Sequence, residues 1–334
     1  MMAGIDMESL IFAINAIAPI VLTVALGYIL KKTGFMDEKF TKMANKLVFR
    51  VFLPCMLFLN VYKIESIGDI DLGYVIYAVG MGLLIFLLGL PAVMILTKKP
   101  EQRGVLWQSI YRSNYALIGI PLAQSLFGDE GAMVASLLSA FVVPSFNIFA
   151  VISLSAFRTD GGKPSFKKTL RGIATNPLIW GIAAGVAALC VRALFVRFQV
   201  GFRLSDITPV FTVLDYMSKM ATPMALLCLG SQFEFSAVAS LRREIIFGVL
   251  MRTVVVPLLG LGTAYLFFRN IFGGAQFAAF VAVFATPVAV SSVPMTQEMD
   301  GDVILAGQLV VWTTLASAVS VFLVSFLLKA AGVF

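Results

Sequence analysis

Arg112, Asn114 and Tyr115 stand at the head of RSNYALIGIPLAQSLFG, a stretch from Arg112 to Gly128 inside an otherwise apolar segment. A guanidinium, an amide and a phenol offer one fixed positive charge and several neutral donors, the chemistry that holds an organic anion. The stretch then runs through Gly119-Ile120-Pro121, which no continuous helix would choose. Proline removes a backbone donor and clashes with the preceding turn, and glycine adds freedom. In hydrocarbon such a break must be buried in protein or line a cavity. A second broken stretch, TPVAVSSVPMTQEMDGD from Thr286 to Asp302, has Pro287 and Pro294 as breakers and the hydroxyls of Thr286, Ser291 and Ser292 beside them. These residues are the candidate binding set, with Asn114 foremost. Two blander readings stand beside it: serine hydroxyls commonly bond back to their own helix, and an arginine near a helix end can be structurally paired or snorkel.

A second tier of residues has the chemistry of gating or ion coupling. Lys46 and Arg50 lie eight and four residues before Pro54, and Asp215 and Lys219 lie eight and four before Pro223. Opposite charges at such equivalent places can pair across a repeat, or Asp215 and Lys219 can pair locally at i, i+4. Gln124, Gln297 and Glu298 follow the two breaks, and Glu298 is the coupling-ion candidate. Catalysis has little to build on. There is no histidine, and Cys55, Cys190 and Cys228 sit in apolar runs at no metal-like spacing, so neither a metal nor a cofactor is expected. No Gly-rich phosphate loop, nucleophile elbow or paired catalytic carboxylates are present.

The elements that position these residues follow from composition. The chain has 334 residues, 60% hydrophobic and 13% charged, with a mean hydropathy of +0.95. That is too apolar for a soluble core and implies an all-α integral membrane protein surrounded by a lipid bilayer. Ten spans are expected, near 9–30, 40–61, 72–97, 105–127, 131–157, 174–197, 209–232, 245–268, 276–298 and 303–329. The first lacks a basic flank and reads as a retained helix. The loops of one side hold thirteen Lys and Arg, from Lys31 and Lys32 to Arg242 and Arg243, against six on the other. By the positive-inside rule the richer side is cytoplasmic and both termini face outward, which turns the +7 net charge into a topology signal rather than one for nucleic acid.

The halves resemble each other. Pro19 and Gly27 in the first span match Pro177 and Gly185 in the sixth, Pro54 matches Pro223, and PLAQSLFGDEGAM matches PMTQEMDGDVILAG, at offsets of 158, 169 and 173. Residues 1–157 and 174–334 thus read as two five-helix repeats joined by a cytoplasmic linker at 158–173. An odd number of spans per half inverts the second repeat, and inverted repeats place their site near the bilayer midplane at broken, crossing helices, here the fourth and ninth.

Four segments in order, N-x-x-x-x-G-I-P-L from Asn114, NPLIWGIAAG from Asn176, ATPMALLCLG from Ala221 and the Pro287/Pro294 pair with its acidic turn, resemble the auxin efflux carrier family. The resemblance spans essentially the whole chain and implies a ten-helix carrier of two inverted repeats, related in architecture to bile acid and sodium/proton carriers. It implies transport of small carboxylates, auxin in plants and dicarboxylates such as malonate in bacteria. It carries the crossover asparagine and prolines onto Asn114, Pro121 and Pro287. The chain lacks the long central loop of many plant members and so resembles the short prokaryotic type. Its proline-hydroxyl series in the ninth span departs from some relatives.

The expected function is therefore secondary transport of a small organic anion, malonate- or auxin-like, across a bacterial cytoplasmic membrane, with a proton, sodium or no coupling ion, and a homodimer as the assembly considered. Alternatives are a sodium-coupled symporter or sodium/proton exchanger, and an anion-binding membrane receptor.

Overall fold

The computed structural model describes residues 7–63, 72–158 and 174–334, with 7–17 as backbone only. The expected linker at 158–173 therefore lies, but for Arg158, outside the described residues. The helices are α1 Met7–Lys32, α2 Glu38–Tyr62, α3 Leu72–Leu96, α4 Pro100–Tyr111, α5 Tyr115–Ala156, α6 Pro177–Arg197, α7 Thr208–Gln232, α8 Arg242–Phe268, α9 Gly274–Phe284, α10 Ser292–Glu298 and α11 Val303–Ala330. Six of them, α2, α3, α5, α6, α8 and α11, are long and apolar enough to cross a membrane by length and composition.

The expected fourth span is two pieces. α4 stops at Tyr111, Arg112 is extended at φ −83° and ψ 100°, and Asn114 is non-helical before α5 begins with a π-turn over Tyr115–Gly119. α5 then bends sharply where Phe127 leaves helical geometry and Gly128 takes φ 59°, a left-handed value that glycine supplies without a Cβ clash. The Tyr115 hydroxyl donates to the Ala135 carbonyl at 2.8 Å. A straight helix would separate them by about 30 Å, so the arm beyond Gly128 folds back along the first.

The ninth span is broken as well, at 285–291 between α9 and α10. From Phe277 to Phe284 every residue of α9 is buried. A helix apolar all round belongs inside a bundle, and α9 packs chiefly against α5.

α1, α2, α6 and α7 pack on one another, and α3 to α5 pack with α8 to α11. Within the first group two close approaches mirror each other. Gly27 of α1 abuts the backbone of Leu227 on α7, and Gly230 of α7 abuts Val24 on α1. Gly181 and Gly185 of α6 lie against Pro54 and Phe58 of α2. Between membrane helices, small residues permit the backbone contact that replaces the missing hydrophobic drive.

Candidate functional site

The two breaks meet. Asn114 donates its backbone N–H to the Pro287 carbonyl at 2.7 Å, and Ala289 donates to the Arg112 carbonyl at 3.2 Å. Ser113 and Val288 thereby form an isolated antiparallel bridge. Each break leaves backbone groups without a helical partner, and each supplies part of what the other lacks.

Arg112 is 2% exposed and fans out over neutral acceptors. Nη2 donates to Asn147 Oδ1 and to Ser291 Oγ, both at 2.8 Å; Nη1 donates to Gln108 Oε1 and Ser292 Oγ, both at 3.3 Å. Among the described residues no carboxylate forms an ion pair with it. A cation buried without an anion, beside a cavity, attracts one.

That cavity has a volume of about 180 Å³ and lies between the two helix groups. Arg112, Ser113, Asn114 and Ser291 line its polar side, Leu53 and Met56 of α2 face them with Ala221 and Thr222 of α7, and Val143, Phe146 and Asn147 of α5 complete it. Drug-sized ligands need upwards of roughly 300 Å³, so this space suits a small ion. Two buried polar atoms here, Ser113 Oγ and Asn114 Nδ2, have no hydrogen-bond partner. Native proteins rarely leave such groups unpaired, and a bound oxyanion would satisfy the amide donor.

A family model described as "Membrane transport protein" matches residues 12–163 and 163–325. The chain belongs to that family. Its members include the auxin efflux carriers and malonate-type transporters. An uncharacterized transporter of Methanothermobacter thermautotrophicus is 24% identical over 328 residues, covering 94% of this chain and 98% of the relative. Another of Methanocaldococcus jannaschii is 28% identical over 251 residues, covering 71% and 74%. The protein is a multi-pass membrane transporter rather than an enzyme.

The other expected residues of this transporter fall in distinct places. Thr286, just past the end of α9, donates its hydroxyl back to the Ala282 carbonyl of that helix. Pro287 gives its carbonyl to the bridge, and Pro294 is buried inside α10. Pro121 is exposed and stands away from the cavity lining. Tyr115 borders the cavity, but its hydroxyl is committed to Ala135. Tyr115→Phe is expected to cost about 1 kcal/mol of stability, the net worth of one neutral hydrogen bond, and to leave transport per folded molecule intact. Thermal denaturation alongside an uptake assay checks it.

Of the gating candidates, Arg50, Gln297 and Glu298 come together, away from the cavity. Asn45 Nδ2 of α2 donates to Gln232 Oε1 at 3.0 Å and to Gln297 Oε1 at 2.9 Å; Gln297 Nε2 reaches the Lys42 carbonyl at 3.1 Å. Arg50 pairs with Glu298 at 3.3 Å. These contacts join α2 and α7 to α10; Asn45 and Gln232 lie about 15 Å along α2 and α7 from the cavity lining, while Arg50 is one turn of α2 from Leu53. Asp215 pairs with Lys219 of its own helix at 2.5 Å and, across to the end of α2, with Lys63 at 3.8 Å, and not with Lys46, which is exposed. Gln124 is exposed and donates to Asp129 at 3.2 Å.

Proposed function

We propose that this transporter is a secondary carrier that moves a small organic anion, malonate-like in size and charge, across the cytoplasmic membrane by alternating access at the crossing. The observation that carries the reading is Arg112, a buried cation with only neutral partners, facing a small cavity beside the unpartnered Asn114 amide. Apolar side chains from α2 and α5 suit the hydrocarbon part of such a substrate.

The architecture supports the same reading. The paired contacts of α1 with α7 and α6 with α2 are what an inverted repeat of five spans per half would produce, and both sequence breaks fall where broken helices meet. Under this topology both termini face outward. The cavity is then on the outer side of the crossing, and the Asn45–Gln232–Gln297 and Arg50–Glu298 contacts close the cytoplasmic side. Transport requires that seal to part as the cavity closes.

Uptake of labelled malonate into proteoliposomes, with counterflow, tests the proposal. Saturable binding without counterflow would make the protein a receptor instead. Asn114→Ala is the sharper arm: it removes a donor that has no partner in the free protein, so folding stability should barely change. A hydrogen bond to a charged group is worth about 1.5–3 kcal/mol, so apparent affinity should fall by roughly tenfold or more. Unchanged affinity would take Asn114 out of the site.

A further inference from the structure

Arg252 takes no part in the anion cavity, yet it is completely enclosed, at 0% exposure. It rises from a π-turn over Met251–Val255 in α8, a local widening of the helix that often accompanies a functional side chain. Its guanidinium donates only to backbone carbonyls: Nε to Thr286 at 2.7 Å, Nη1 to Ile110 at 3.1 Å and Tyr111 at 3.3 Å, and Nη2 to Val283 at 2.8 Å. Ile110 and Tyr111 end α4, while Val283 and Thr286 flank the end of α9. The guanidinium therefore sits where the carbonyl ends of both half-helices converge.

The charges balance. A helix C-terminus carries about half a negative charge, so two together present about one, which a single guanidinium cancels. Among the described residues no carboxylate pairs with Arg252. Converging backbone carbonyls from interrupted membrane helices are also the chemistry that coordinates a free monovalent cation.

We propose that Arg252 is a tethered cation filling a backbone-carbonyl cation site at the crossing, so that no mobile sodium ion is taken there and a vacated site accepts a small free cation, guanidinium before sodium. Its consequence for coupling rests on the carrier reading above: the anion crosses without a sodium partner at this position. Arg252 is a positioning residue, holding the ends of α4 and α9 together while Arg112 and Asn114 meet the ligand.

The test measures the melting temperature of purified protein in choline chloride, with millimolar sodium or guanidinium substituted at constant ionic strength. The parent should melt identically in sodium and choline. Arg252→Ala, which leaves four buried carbonyls unpaired, should melt lower by about 5 °C or more. Millimolar guanidinium should recover at least half of that loss saturably, while leaving the parent unchanged, and sodium should recover less.

Loss without rescue by either cation would overturn the proposal, as would a saturable stabilisation of the parent by sodium. If Arg252→Ala does not fold, Arg252→Lys replaces it. One ammonium cannot span four carbonyls in a fork, so its melting temperature should lie below the parent's and rise with guanidinium; a parent-like Tm counts against the proposal. No arm contains an organic anion. A parent that passes these tests yet fails to take up malonate would refute the carrier reading alone.

Discussion

Arg112→Gln is expected to lower anion transport by at least about 100-fold while leaving a protein that inserts and elutes as a single species. Removing one charge from a buried, counter-ion-free site forfeits a charge-assisted contact worth about 1.5–3 kcal/mol as well as the longer-range attraction that draws the anion in. Arg112→Lys should rescue little. The planar fork now bridges Asn147, Ser291, Ser292 and Gln108 at once, and a single ammonium cannot occupy that geometry.

The competing account makes Arg112 a staple between α4, α5 and α10. A staple would show itself in the ligand-free protein, as a lowered melting temperature with near-normal transport per folded molecule. Labelled-malonate uptake normalised to folded protein separates the two, and a change within about twofold would remove Arg112 from the substrate's path.

Both breaks were legible because their signals are local. Gly119, Pro121, Pro287 and Pro294 are residues a lipid-embedded helix resists, and the arginine and asparagine beside them are what the proposed anion recognition starts from. The structure moves the emphasis within those stretches. The meeting point is 112–114 with 287–289, while Pro121 stands exposed.

The partners of Arg112 were not legible. Asn147 lies 35 positions away and Ser291 lies 179 away, and a lone asparagine in FVVPSFNIFAVISL carries no periodic mark. Arg252 did leave a mark. A charge deep in the apolar run IIFGVLMRTVVVPLLG asks for a partner by the same logic that singled out Arg112. What no sequence pattern offers is that its partners are carbonyls, which every residue possesses. The seal was half visible, since Gln297 and Glu298 stand out after the break, whereas Asn45 and Gln232 acquire meaning only when α2, α7 and α10 are brought together.

Gly230→Val should be the most destabilising single change outside the site. A Cβ at Gly230 would collide with the Val24 backbone carbonyl on α1, and a backbone atom cannot rotate away as a side-chain tip does. Relief requires moving α1 off α7, which also loosens Gly27 against Leu227 one turn further along the same seam. Overpacking costs about 1–3 kcal/mol in ordinary cores, and a rigid backbone contact belongs at or above the upper end.

The matched control is Gly80→Ala in α3, where a Cβ meets nothing within 4 Å. Helix propensity there predicts a change of up to about 1 kcal/mol in the stabilising direction. The decisive comparison is the pair. If Gly27 and Gly230 guard one shared approach, then Gly27→Ala with Gly230→Ala together should cost clearly less than the sum of the singles, because the first substitution already separates the helices. Additive losses in melting temperature would mean that the two contacts yield independently and that α1 and α7 do not move as a unit.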